Sequence, residues 1–214
     1  MDTTTGSEHT DRRFMNVTRT VEMDSLLEKF VARFNVSATV ESSRDCGVIG
    51  AYEGDIVRRE ITPHRTLEQI YSEIPFKFPP LYERLVLTYR WYRSELDVFE
   101  TFNYRSGLNT FDIFGNPQGS GLNGLREVLF GDSALTETCL PKGYVQFGSG
   151  PNGLYDPICF DTSRKNAKQD FAIVQLDHEA IHCRYKIKIV QTIAPSFESL
   201  VNTVLSAPLR SEEI

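Results

Sequence analysis

The sequence predicts an α+β domain in which a mainly antiparallel sheet packs against several helices. Three observations predict it. In the first half of the 214-residue chain, apolar residues recur at helical spacing. Beyond Leu140 they alternate with polar residues, the period of two expected of half-buried strands. From Pro195 to Leu205 the helical period returns. With 40% hydrophobic and 11% aromatic residues, a chain of this length buries one sizeable core, so residues 21–210 are assigned to a single domain.

Residues 1–20 are polar, rich in Thr and charge, and are expected to form a mobile tail. Leu26, Leu27, Phe30, Val31 and Phe34 then mark an amphipathic helix with Asp24 or Ser25 as its N-cap. The stretch "VIGAYEGDIVRREI" reads as a hairpin turning at Glu53-Gly54-Asp55, where glycine supplies the positive φ of the turn. In "RTLEQIYSEI" the stripe Leu67, Ile70, Tyr71 and Ile74 gives a second helix. Pro79 and Pro80 fit only a first helical turn, so a third helix starts there, burying Leu81, Leu85, Val86 and Tyr89, with Trp91 closing the core. "LDVFETFNY" reads as a strand, "GNPQGSGLNG" as a loop, and Leu125 to Phe130 as a short helix.

Four strands are expected next: Tyr144–Gly148, Leu154–Asp161, Phe171–Asp177 and His182–Gln191. In the last of these, Arg184, Lys186 and Lys188 alternate with Tyr185, Ile187 and Ile189, which leaves one face wet. No internal repeat is present.

Several function classes are disfavoured by totals. The net charge of −6 argues against a general affinity for nucleic acid and suits a basic protein partner. No run approaches the ~18 apolar residues of a membrane helix. The N-terminus "MDTTTGSEHTDRR" lacks the apolar core of a signal peptide, so the cytosol is the expected location and Asn16-Val17-Thr18 and Asn35-Val36-Ser37 are chance acceptor tripeptides. Cys46, Cys139, Cys159 and Cys183 form no C-x-x-C pair and read as reduced, mostly packed thiols.

Gly148-Ser149-Gly150-Pro151-Asn152-Gly153 satisfies G-x-G-x-x-G, but a dinucleotide loop opens into a helix whose N–H groups hold the pyrophosphate. Here a strand follows, so the glycines read as a turn between antiparallel strands. His178 and His182 would chelate a metal on a helix. On the expected strand their Cα atoms lie about 13 Å apart, so no metal and no other cofactor is assigned. Cys183 beside His182 would point to the opposite strand face, and no Ser, His and Asp set has a recognisable context. No catalytic residue is therefore assigned. Asp156, Asp161, Asp177 and Glu179 fall near strand ends, either as a solvated rim or as an acidic patch that steers a basic partner. Among Tyr144, Tyr155 and Phe160, alternation assigns the core, with Tyr155 beside the turn as the exposed one. The candidate partner-binding set is Tyr155, Asp156, Asp161, Asp177 and Glu179.

The order of "FPPLYERLVLTY", "LPKGYVQFGSGPNGLYDPICFD", "FAIVQLDHEAIH" and "IAPSFESLVNTVL" resembles the SUKH superfamily of bacterial toxin-immunity proteins and yeast cell-wall synthesis regulators. The likeness covers about residues 76–205, while residues 23–62 add a helix and hairpin. The family's Asn-Gly step after the Pro-started helix is replaced by "RWYRSELDVF". The resemblance implies an α+β fold and a non-enzymatic protein-binding role, most specifically an immunity protein that neutralises a basic, nuclease-type toxin. A housekeeping interaction or regulatory scaffold is the second role it implies. It also marks Pro80, Tyr82, Leu85, Gly148, Gly153, Phe160, Asp161, Asp177 and Phe197 as fold-forming positions. A metal- or nucleotide-dependent enzyme is the reading that the residues favour least.

Overall fold

A computed structural model of the chain describes residues 18–33, 57–91, 95–97, 110–112, 122–149 and 156–206. The expected tail up to residue 17, Cys46, the turn at Glu53–Asp55, the turn at Gly150–Gly153, Tyr155 and the Trp91 side chain lie outside the described residues.

Helix α1 spans residues 18–33 and buries Leu27, Phe30 and Val31. There follow β1 (Val57–Arg59), α2 (His64–Tyr71), α3 (Pro80–Thr88), β2 (Tyr89–Trp91), β3 (Glu95–Asp97) and β4 (Thr110–Asp112). The second half holds α4 (Leu122–Phe130), α5 (Ser133–Cys139), β5 (Tyr144–Ser149), β6 (Pro157–Lys165), β7 (Phe171–Leu176), α6 (His178–Arg184), β8 (Ile189–Ala194) and α7 (Phe197–Ser206). β1 and β2 form a two-stranded ribbon, and the main sheet runs β3-β4-β5-β6-β7-β8 with every neighbouring pair antiparallel. The chain is an α+β fold with an antiparallel sheet packed against helices, as the hydrophobic periods predict.

One core lies between the sheet and α1, α2, α3, α4 and α7. At its centre the Phe147 and Phe160 rings stack at 4.1 Å, and Tyr82 meets Phe147, Phe160 and Phe197 edge-on at 5.3, 5.1 and 5.2 Å. These offset and edge-to-face contacts match the quadrupoles of the rings. The Tyr82 hydroxyl is buried and has no hydrogen-bond partner among the described residues. An unsatisfied buried hydroxyl costs about 1–3 kcal/mol, so Tyr82→Phe is expected to stabilise the protein by about 1 kcal/mol in chemical denaturation. A loss of stability would show that the hydroxyl is satisfied.

A second, smaller core covers the opposite face of the sheet, where α5 and α6 bring Leu135, Cys139 and Ile181 against Cys159, Val174 and Leu176. All six residues of β7 are consequently buried. The covering helix α5 was not legible because seven residues show little periodicity. Its one local signal is Asp132, which caps the helix by accepting the Leu135 N–H at 3.1 Å.

Two expectations are corrected. The strand expected over His182–Gln191 is instead the end of α6, a connection at residues 185–188 and β8. Asp177 decides this, because its Oδ1 accepts the Ala180 N–H at 2.8 Å and caps a helix where alternation suggested extension. Val57–Arg59, in the second arm of the expected hairpin, pairs with β2, Val57 opposite Trp91, while the turn and the first arm lie outside the described residues.

The second correction concerns α1, which begins before the expected cap and so holds Asp24 within its body. The Asp24 carboxylate instead takes a two-pronged hydrogen bond from Arg84 on α3, Nε and Nη2 at 2.7 and 2.8 Å. That bond holds the Asp24 carboxyl below its ordinary range. A folded pKa below the unfolded value of about 3.9 stabilises the protein above that value and is lost as pH falls through the lowered one. Asp24→Asn is expected to reduce the loss of stability between pH 5 and pH 2, measured by urea unfolding at each pH. An unchanged slope would mean that the pair adds nothing.

Candidate functional site

The corner where α6 turns into β8 joins an ordered scaffold to an exposed surface. Asp156 Oδ1 accepts the His178 N–H at 3.0 Å and its Oδ2 accepts Gln175 Nε2 at 2.7 Å. Gln175 Oε1 in turn accepts Gln191 Nε2 at 2.9 Å. This chain ties β8 to β7 and β7 to the start of α6. Asp177 adds a second tie, because its Oδ2 accepts Lys188 Nζ at 2.6 Å; that bond first, then the Ala180 N–H, holds its carboxyl below the usual range.

At the far end of α6, Tyr185 takes the left-handed conformation, φ 51° and ψ 37°. Its N–H reaches the Ile181 carbonyl at 2.9 Å and the Lys186 N–H reaches Ala180 at 3.2 Å, closing the helix in the manner that usually employs glycine. A side chain there costs roughly 1–2 kcal/mol. Packing does not offset this cost, because Tyr185 is 64% exposed. Ile189 and Val190 follow at 42% and 50% exposure. β8 is bulged against β7 at this point, Gln175 pairing with Gln191 and Leu176 with Ile189, so Val190 is the extra residue of the bulge and is exposed together with Ile189. Arg184 and Lys186 are exposed beside Tyr185 and make no ion pair among the described residues.

Of the expected partner-binding residues, Asp156, Asp177 and Glu179 come together at the start of α6. Asp156 and Asp177 have both oxygens engaged, while Glu179 is exposed. Asp161 is not brought to them. It is 3% exposed, and its Oδ1 accepts the Ser163 N–H and Oγ at 3.1 and 2.6 Å. A freely presented rim of these carboxylates is therefore corrected to one exposed acid, two helix-end acids and one buried acid; Tyr155 lies outside the described residues.

His178 and His182 share α6, with ring centroids 4.2 Å apart, which corrects the separation expected on a strand. His182 Nε2 lies 3.1 Å from Asp132 Oδ2, in ion-pair range but without hydrogen-bond alignment. Among the described residues no group of three or more His, Cys, Asp or Glu side chains is arranged to hold a metal. Cys183 is exposed, and Cys139 and Cys159 are buried free thiols, burial pushing Cys159 up.

A groove of about 790 Å³ between α1, α3 and the β6–β7 turn holds a further polar cluster. Glu83 accepts the Tyr71 hydroxyl at 2.6 Å and faces His64 Nε2 at 3.4 Å, while His64 Nδ1 faces Glu68 at 3.3 Å. Burial and Glu83 push the Tyr71 phenol up, keeping it a neutral donor. These groups bond one another across α2 and α3, and no serine or cysteine lines the groove among the described residues. Beyond the glycine stretch the next described element is β6, which pairs antiparallel with β5.

Neither a family model, nor a curated protein, nor a solved structure matches the chain. The residues of the α6–β8 corner therefore carry the functional reading. Alternation places Arg184 and Lys186 on a wet face, as found; what sequence reasoning missed is that Tyr185 and Ile189, assigned to the buried strand face, are exposed with them and with Val190.

Proposed function

We propose that this protein is a non-enzymatic protein-binding module and that the α6–β8 corner is its contact surface. The observation that carries the reading is Tyr185, an aromatic that is 64% exposed although held in a left-handed backbone conformation that costs stability. Rigid exposed aromatics of this kind are the usual anchors of interfaces. In its specific form, the proposal is a cytosolic immunity protein that neutralises a toxin, which the resemblance to the SUKH superfamily supports. The same resemblance supports a regulatory scaffold as the second reading.

Affinity capture of the tagged protein from its native cells at low and high salt, followed by mass spectrometry, tests this. A single toxin-like domain retained in stoichiometric amount is expected, more weakly at high salt. A resident enzyme or cell-envelope factor would move the protein to the scaffold role. Stoichiometric metal in the purified protein, or a thermal shift with a dinucleotide, would overturn the non-enzymatic reading.

A further inference from the structure

β8 is an edge of the six-stranded sheet, and its outer side pairs with no described strand. Such an edge presents backbone donors and acceptors to an extended segment, here in a register interrupted at Val190 and Ile193, where β8 bulges against β7. Four of its six residues, Ile189 to Thr192, lie outside full burial, whereas Ile193 and Ala194 are covered. Among the described residues the uncovered part is thus the end that adjoins Tyr185.

Both ends of this free edge are cationic. Arg184 and Lys186 flank Tyr185, and Lys142 Nζ sits 3.2 Å from the Tyr185 carbonyl. At the other end Arg164 Nη1 donates to Thr192 Oγ1 at 3.1 Å. All four cations are exposed, in a protein whose net charge is −6. Lys188 is neutralised by Asp177, and Glu179 stands at the opposite end of α6. We propose that the corner binds an extended, acidic segment of a protein partner, which adds alongside β8 as a seventh strand and covers Tyr185. This rests on the protein-binding reading of the same corner.

A second copy of the chain fits less well. Antiparallel pairing of β8 with itself about a twofold axis sets the Tyr185 end of one copy beside the Thr192 end of the other, and like charges meet at both.

Panning a displayed library of short random segments against the full-length protein tests the inference. Enriched segments are expected to carry Asp or Glu among strand-forming residues and to lack proline. Arg184→Glu combined with Lys186→Glu, in a variant that unfolds at the wild-type midpoint, is expected to reduce their retention about tenfold or more and to enrich basic segments instead. Enrichment of basic, proline-rich or helix-forming segments, retention indifferent to the charge reversal, or no enrichment would each overturn it. So would a wild-type dimer in solution that Ile189→Lys converts to monomer. Should the captured natural partner depend on Tyr185 while the panned segments are not acidic, the protein-binding reading stands and the acidic-strand inference falls. A natural partner indifferent to Tyr185 would remove both.

Discussion

Phe197→Ala is expected to destabilise the protein by about 3–5 kcal/mol, read as a shift of the denaturation midpoint without a change in binding chemistry at the α6–β8 corner. Phe197 is the first residue of α7 and is fully buried. Its ring meets Tyr82 at 5.2 Å and 82°, Phe160 at 6.2 Å and 71°, and Phe147 at 6.4 Å and 88°. Truncation removes one member of an aromatic cluster shared by α3, the sheet and α7. The neighbouring rings are rigid and already in contact with one another, so they relax little into the space, which places the cost high in the usual range. A variant that unfolds at the wild-type midpoint would show that α7 does not dock through this ring.

Asp170→Ala is expected to cost about 3 kcal/mol or more, through polar rather than apolar loss. Asp170 is 3% exposed and lies just before β7. Its Oδ1 accepts the Phe171 and Phe197 N–H groups at 2.7 and 3.0 Å, and its Oδ2 accepts the Glu198 N–H at 3.0 Å. The carboxylate caps α7 from a distant part of the chain, while Ser196 Oγ caps it locally by accepting the Ser199 N–H at 3.0 Å. Alanine would leave the buried donors without partners. Asp170→Asn keeps one acceptor oxygen and should lose less, so the order Asp, Asn, Ala in stability is the expected result. Equal stability of the three would mean that water replaces the carboxylate at no cost.

What the sequence made legible follows from how far each signal reaches. The Pro80 start of α3 and the stripes of α1, α2 and α7 are local, and they place these helices near their observed positions. The alternation of Val145 and Phe147 against Tyr144 and Gln146 likewise places β5. Local signals failed where a side chain's partner lies far away. Asp24 looks like a cap until Arg84, 60 residues on, takes its carboxylate. Asp156, Asp161 and Asp177 look like a charged rim until their backbone and side-chain partners are seen. Residues 184–189 alternate as a strand does, yet the capping of α6 by Asp177 winds the chain into a helix first and turns Tyr185 outward. No residue type at position 185 announces a left-handed backbone, since glycine would be the sequence signal for it.

The corner's central property is that binding and stability diverge at Tyr185, and one variant measures both. Tyr185→Gly replaces a strained residue with the one that suits the conformation, so its denaturation midpoint is expected to equal or exceed that of the wild type. Retention of the natural partner in parallel captures is expected to be lost. A variant that keeps its partner at the wild-type level would contradict the assignment of this corner as the binding surface, and a lowered midpoint would contradict the strain at Tyr185.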